Sequence, residues 1–225
     1  MIRFAKKEDG AAVAKLILVI LKDMELDFLA EFGEEKALEV ITACFEDPTY
    51  RFGYARGLVE EIDGEIAGAV FGYPANKEKI IDLPLENYLR SQGISDDIKM
   101  FIDPEAFPGE WYLDSIAVDE KFRGQGIGSK LLTAVDRLAT HEGEKVIGLN
   151  VDKANPNAKR LYLRDGFKDV GEIMISGHLY DHMQREVKGF DRIKRHKSAY
   201  KKTANRLLNV VNVLAVLTVL RKGYF

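Results

Sequence analysis

The chain has 225 residues, of which 46% are hydrophobic and 31% charged, and its formal net charge is −3. These proportions indicate a folded domain with its own core and exclude a globally disordered chain. The single cysteine, Cys44, excludes an internal disulfide and fits a reducing compartment. The N-terminal segment lacks the apolar run and the cleavage site of a signal peptide, so we expect a cytoplasmic protein.

Charge divides the chain into two parts. Residues 188–225 carry ten Lys and Arg against one Asp, a net charge of +9, which leaves −12 on residues 1–187. This asymmetry predicts a domain over 1–187 and a basic, apolar, partly helical C-terminal extension over 188–225.

The extension is not expected to cross a membrane. Its apolar run from Leu207 to Leu220 would span about 21 Å as a helix, short of the ~30 Å hydrocarbon core. We rank packing on protein first, either its own domain or a second copy in a homodimer, and peripheral contact with a membrane surface second. Nucleic acid is not expected, because no aromatic stacking platform accompanies the positive charge.

Hydrophobic periodicity predicts the elements along the chain. In order they are a strand at 2–4, helices at 10–22 and 34–46, a hairpin of strands 58–62 and 66–71 around Asp63-Gly64, an irregular insertion or lid at 76–108, a strand at 111–118, a helix at 126–141, a strand at 145–151, a helix at 155–164, and a closing antiparallel pair at 167–175 and 178–187. Such an order is typical of an α/β domain with a mixed sheet.

A glycine-rich turn lies between the strand at 111–118 and the helix that follows it. Gly124, Gly126 and Gly128 remove side chains where this helix begins, and Arg123 adds a cation. Unpaired N–H groups and the helix dipole make such a turn an anion site suited to a diphosphate. A P-loop is excluded because Lys130 follows Ser129 and not a glycine. A dinucleotide-binding fingerprint fits poorly, since its third glycine would be one residue early, and a turn that binds nothing is the remaining alternative.

Two motifs together decide between these alternatives. The segment 123–128, Arg-Gly-Gln-Gly-Ile-Gly, resembles the Q/R-x-x-G-x-G/A pyrophosphate loop of the GNAT N-acetyltransferase family. About thirty residues later, 155–167 resembles that family's N-x-x-A-x-x-L-Y-x-x-x-G-F helix and strand. The resemblance implies a mixed, mostly antiparallel sheet flanked by helices, with its fourth and fifth strands splayed apart at the acetyl-CoA site.

The resemblance also implies the cofactor-binding residues. The backbone of Ile116 and Val118 would pair with the pantetheine of acetyl-CoA, and Asn155 would cap its helix and touch the cofactor. The diphosphate would be held by the loop and the start of its helix, formed by Arg123, Gly124, Gln125, Gly126, Ile127, Gly128 and Ser129.

Tyr162 matches the family's general acid, whose phenol protonates the departing thiolate; a core tyrosine is the alternative. The general base is less well defined. The positions at which relatives carry a glutamate are filled by Asn150 and Tyr112. By strand alternation Asp114 and Glu110 lie on the same side of the fourth strand, and either could act through water. We choose Asp114, with a surface carboxylate as the competing interpretation.

The sequence therefore predicts an acetyl-CoA-dependent N-acetyltransferase that acts directly on a primary amine of a small, cationic molecule or peptide. Cys44 falls in a helical apolar pattern and is not expected to carry the acyl group. His178 and His182 share a strand face without a third ligand, so no metal is expected. A non-catalytic acetyl-CoA sensor and a nucleotide-dependent oxidoreductase remain the alternatives.

Overall fold

Within residues 1–189, which the computed structural model describes, seven strands form one sheet in the order β1-β2-β3-β4-β5-β7-β6. Neighbouring strands are antiparallel except β4 and β5, which are parallel. The strands are β1 (Ile2–Phe4), β2 (Gly57–Ile62), β3 (Glu65–Pro74), β4 (Trp111–Val118), β5 (Val146–Asp152), β6 (Lys168–Ile175) and β7 (His178–Glu186). The predicted α/β class and the mostly antiparallel sheet are confirmed.

Five α-helices accompany the sheet in the described residues: α1 (Gly10–Asp23), α2 (Asp27–Cys44), α3 (Leu83–Ser91), α4 (Ile127–Glu142) and α5 (Pro156–Arg164). Four of them, α1, α2, α4 and α5, occur in the predicted order, and α3 lies within the predicted insertion. The start of α2 differs from the prediction, because the helix begins seven residues before the predicted Glu34. Gly33 interrupts it with φ of 80°, so the sequence pattern revealed only the segment after this break. The 76–108 insertion contains α3 and a short 3₁₀ turn.

Helices cover both faces of the sheet because side chains alternate along β3. Ala69 and Phe71 point into the large apolar cluster formed with α1 and α2. Gly68, which precedes Ala69 and therefore lies on the opposite face, faces Ile127 and Leu131 of α4. The motif-bearing helix α4 is thereby fixed against the sheet on the face opposite α1.

Strands β4 and β5 separate immediately after they meet. Their parallel pairing is confined to Trp111 with Ile147 and Tyr112 with Gly148. On the other side of β4 the register with β3 shifts between Phe71 and Gly72, which leaves Asp114 as the extra residue of a β-bulge. The predicted splay of the fourth and fifth strands is therefore present, and it opens next to Asp114.

Residues 1–187 form one compact unit. The predicted extension over 188–225 lies, beyond Gly189, outside the described residues, and its docking stays a prediction. In the described part of the chain, no helix is long and apolar enough to span a membrane.

Candidate functional site

A cavity of about 1030 Å³ lies where β4 and β5 splay apart. Its walls come from residues 112–118 of β4, residues 150–152 of β5, and parts of α1 and α5. Seven of the predicted site residues line it: Asp114, Ile116, Val118, Arg123, Gly124, Asn155 and Tyr162. The structure thus brings the residues of both motifs to one opening in the sheet.

The glycine-rich turn forms one end of this cavity. Gly124 and Gly126 have φ of 77° and 75°, a left-handed conformation that side chains with a Cβ rarely adopt. The helix begins at Ile127, so the N–H groups of its first turn have no partner within the helix. Among the described residues, the N–H groups of 124–129 also donate no hydrogen bond to a turn, loop or side chain.

The remaining loop residues lie beside the cavity and do not form its wall. Gln125, Gly126, Gly128 and Ser129 are absent from the lining, and the Ile127 side chain is buried in the core. This arrangement agrees with a role for their main-chain N–H groups. Arg123 is exposed at the mouth, where its Nε lies 3.4 Å from the carbonyl oxygen of Val118.

Tyr162 is 8% exposed and lies on α5 with its ring edge-on to Phe167. Its hydroxyl makes no hydrogen bond to any of the described residues, although the residue lines the cavity. Burial raises the pKa of this phenol to about 12, so the hydroxyl keeps its proton at neutral pH. A protonated and unpartnered phenol at a cavity wall can donate to a charge that develops there.

Asn155 caps α5, since its side chain accepts a hydrogen bond from the N–H of Ala158 at 3.0 Å. The capping half of the prediction is confirmed, and contact with a cofactor stays a prediction.

Asp114 is held by hydrogen bonds on both carboxylate oxygens. Arg51 donates to Oδ1 at 2.9 Å and the Ser115 hydroxyl donates to Oδ2 at 2.9 Å. Only 3% of its side chain is exposed. Burial raises the pKa of Asp114 to about 7; Arg51 opposes this rise, while Glu105 adds to it. A carboxylate whose pKa lies near neutrality is suited to accept a proton in this range.

Arg51 joins three carboxylates beneath the cavity. Its Nε and Nη2 bind the two oxygens of Asp82 at 2.9 and 2.8 Å. Its Nη1 donates to Glu105 at 3.0 Å and to Asp114 at 2.9 Å. Although burial alone lowers it, the pKa of Arg51 is raised well above its ordinary value by these acids and Tyr73, so the guanidinium stays charged. Its plane also stacks on Phe101, with the guanidinium carbon 3.8 Å from the ring centre.

A second polar chain leads from the cavity into the core. Asn150 Nδ2 donates to the carbonyl oxygen of Glu105 and to the Tyr112 hydroxyl, both at 3.0 Å, and that hydroxyl donates to Glu105 Oε2 at 2.9 Å. Because a carbonyl can only accept, the amide orientation is fixed and Asn150 Oδ1 must accept from His182 Nδ1, 2.6 Å away. The Nε2 of the same ring faces Glu110 at 3.1 Å.

These hydrogen bonds join Asn150 and Tyr112, the residues at the two positions where the family resemblance leads us to expect a glutamate. Asn150 and Tyr112 contact each other, and both contact Glu105, which comes from the insertion. Glu110, the other predicted candidate base, is fully buried behind the site, where it also accepts from Gln184 at 2.7 Å. It does not line the cavity, so of the two candidates only Asp114 does.

The structure also shows the surroundings of three side chains that the sequence analysis did not assign to the site. Cys44 is buried, and burial raises the pKa of its thiol to about 12, as expected for packing. His182 is fully buried, whereas His178 is partly exposed near Glu25 and Asp152. Among residues 1–189 no group of three or more His, Cys, Asp and Glu side chains is arranged to hold a metal ion.

Sequence reasoning missed Arg51 and Glu105. Arg51 lies between α2 and β2 in a segment without periodicity, and Glu105 lies in the irregular insertion. Neither belongs to a motif, and only the folded chain brings both to Asp114.

Comparison with known proteins identifies the family. The model of the Acetyltransferase (GNAT) family matches residues 18–167, more than half of the chain. The chain belongs to the GNAT family. A solved structure described as an acetyltransferase is 54% identical with a TM-score of 0.76, and the match covers 84% of this chain and 100% of that one.

Two further matches carry more specific descriptions. The spermine/spermidine N(1)-acetyltransferase of Bacillus subtilis is 39% identical over 70 residues, which is 31% of this chain and 46% of that protein. The yncA structure from Salmonella typhimurium, solved with its cofactor acetyl-CoA, shares the fold at 18% identity and a TM-score of 0.54, covering 84% and 94% of the two chains. The chain spans less than half the length of the curated relatives it matches.

Proposed function

We propose that this GNAT protein binds acetyl-CoA in the cavity between β4 and β5 and transfers its acetyl group directly to a primary amine of a small molecule or peptide. The observation that carries the proposal is the convergence of the two motifs on this one cavity. Family membership and the acetyl-CoA complex of a protein with the same fold support it.

The cavity fits the chemical parts of acetyl-CoA. The free N–H groups at the start of α4, with Arg123, suit the diphosphate. The edge of β4 beyond Tyr112 is not paired with β5, so the main chain of Ile116 and Val118 is available to an extended pantetheine.

The reaction requires a proton acceptor and a proton donor, and the cavity offers one group for each role. Asp114 accepts a proton from the acceptor ammonium, which frees the amine to attack the thioester carbonyl. The carbon–sulfur bond breaks, and Tyr162 gives its proton to the departing thiolate. The amide forms as the nitrogen loses its second proton, which passes through water to the tyrosinate and restores the phenol, and Asp114 then releases its own proton to solvent. The buried Cys44 lies outside the cavity wall, so no acyl-enzyme is proposed.

Calorimetric titration with CoA and with NAD tests the binding half of the proposal. We expect CoA to bind at tens of micromolar or tighter and NAD not to compete with it. A protein that binds NAD and not CoA would instead support an oxidoreductase. Tight CoA binding without turnover on any amine would support a sensor that lacks catalysis.

A further inference from the structure

We propose that Glu105 and Asp114, held together by Arg51, form the site that recognises the positively charged ammonium group of the acceptor. This inference rests on the proposed function, because it assigns the acceptor end of the same cavity. It makes Glu105, from the insertion, a specificity-determining residue and Arg51 a positioning residue.

The first argument is a deficit of positive charge. Arg51 engages Asp82 through two parallel hydrogen bonds, the geometry in which a guanidinium and a carboxylate match one to one. Glu105 and Asp114 then share the remaining nitrogen of the same guanidinium. Among the described residues neither of these two carboxylates contacts another Lys or Arg. Three acids therefore surround one base.

The second argument is that both excess carboxylates belong to the cavity. Glu105 and Asp114 line it, while only 7% and 3% of their side chains are exposed. Two desolvated carboxylates on one nitrogen repel each other, and this repulsion is relieved by a proton or by a cation. Asp82 does not line the cavity, so an incoming cation meets Glu105 and Asp114.

A third and independent observation is the Tyr180 hydroxyl on β7. Tyr180 lines the same cavity and is 8% exposed, yet its hydroxyl makes no hydrogen bond to a described residue. Burial, and then the charges of Asp152, Glu105 and Asp23, raises the pKa of Tyr180 to about 12. The phenol therefore stays neutral, and its oxygen can accept one N–H of an ammonium whose others meet Glu105 and Asp114.

Recognition and proton transfer are then consecutive steps at one place. The ammonium binds as the cation that the cluster lacks. One of its protons passes to Asp114, and the carboxylate and the ammonium become a carboxylic acid and a free amine. Glu105, still hydrogen-bonded by Arg51 and Tyr112, keeps the amine in place.

Binding of n-butylamine and O-propylhydroxylamine to the protein in excess CoA tests this inference. The two amines have nearly the same shape, but at pH 7.5 only the first is a cation. We expect the wild-type protein to prefer butylammonium by at least about tenfold, since the neutral analogue leaves the two carboxylates uncompensated. Glu105→Gln should remove most of that preference, and Tyr180→Phe should weaken butylammonium binding severalfold.

The matched control is Glu86→Gln, which removes the same charge from the surface of α3, where Glu86 pairs with Lys99. It should leave the preference unchanged. CoA affinity and thermal melting of each variant show whether the fold is retained. Equal affinity for the two amines in the wild-type protein, or a full preference in the folded Glu105→Gln variant, would overturn the inference. The affinities of the two amines are compared whether or not CoA binds, so failure to bind CoA would count against the proposed function alone.

Discussion

The pH dependence of kcat/KM tests the role of Asp114 in depth. If this carboxylate accepts the proton, kcat/KM follows its ionised fraction. With a pKa of about 7, that fraction is about one tenth at pH 6 and about nine tenths at pH 8. We therefore expect kcat/KM to rise roughly tenfold between these values and to level off above pH 8.

A protein without this base gives a different profile. The acceptor must then enter as the free amine, which increases tenfold with each pH unit below the ammonium pKa of about 10. The Asp114→Asn variant should therefore lose about 10²- to 10⁴-fold in kcat/KM near pH 7. Its kcat/KM should then rise by roughly a hundredfold between pH 6 and 8 without levelling off.

Ser115→Ala should shift the midpoint of the same kcat/KM profile without removing the base. The Ser115 hydroxyl donates to Asp114 Oδ2 at 2.9 Å, and its loss destabilises the carboxylate. A hydrogen bond to a charged group contributes about 1.5 kcal/mol or more, so the midpoint should move about one pH unit in the alkaline direction. Initial rates of thiol release, measured from pH 5.5 to 9 at subsaturating amine, give all three profiles. A wild-type profile that rises a hundredfold from pH 6 to 8, or that Asp114→Asn leaves unchanged, would refute the role.

Three further predictions concern other parts of the site. Tyr162→Phe should keep CoA affinity and lower kcat by about ten- to a thousandfold. The control is Tyr50→Phe, which removes a buried hydroxyl outside the cavity wall. An unchanged kcat in Tyr162→Phe would mean that Tyr162 only packs in the core. Asn155→Ala should lower the free energy of unfolding by about 1 kcal/mol through loss of the α5 cap, measured by urea denaturation. Gly148→Ala should cost about 2–4 kcal/mol, because a Cβ there would lie 1.8 Å from the buried Glu110 carboxylate; melting within a degree of the wild type would contradict this close approach.

The sequence allows the elements and the cofactor half of the site to be predicted because both are local. The Asp63-Gly64 turn, with φ of 51° and 82°, forms the predicted hairpin connection. The apolar repeat of α4 and the glycines before it are likewise encoded in adjacent residues. These features require no knowledge of distant contacts.

The acceptor half could not be predicted in the same way. Arg51 meets Glu105 and Asp114 across sequence separations of 54 and 63 residues, and no periodicity marks such contacts. Alternation along β4 did not reveal that Asp114 occupies a bulge, because the extra residue is recognised only from its register with β3. A carboxylate was therefore expected on β4, and the second one, from the insertion, was not.

Amine-dependent release of thiol from acetyl-CoA tests the central claim most directly. The purified 225-residue chain, acetyl-CoA and a panel of primary amines, with spermidine among them, are combined with a thiol-reactive dye, and the products are analysed by mass spectrometry. We predict release that depends on both enzyme and amine, with one N-acetylated amine formed per thiol. Thiol release no faster than in the absence of amine, across the whole panel and from pH 6 to 9, would contradict the assignment of this protein as an N-acetyltransferase.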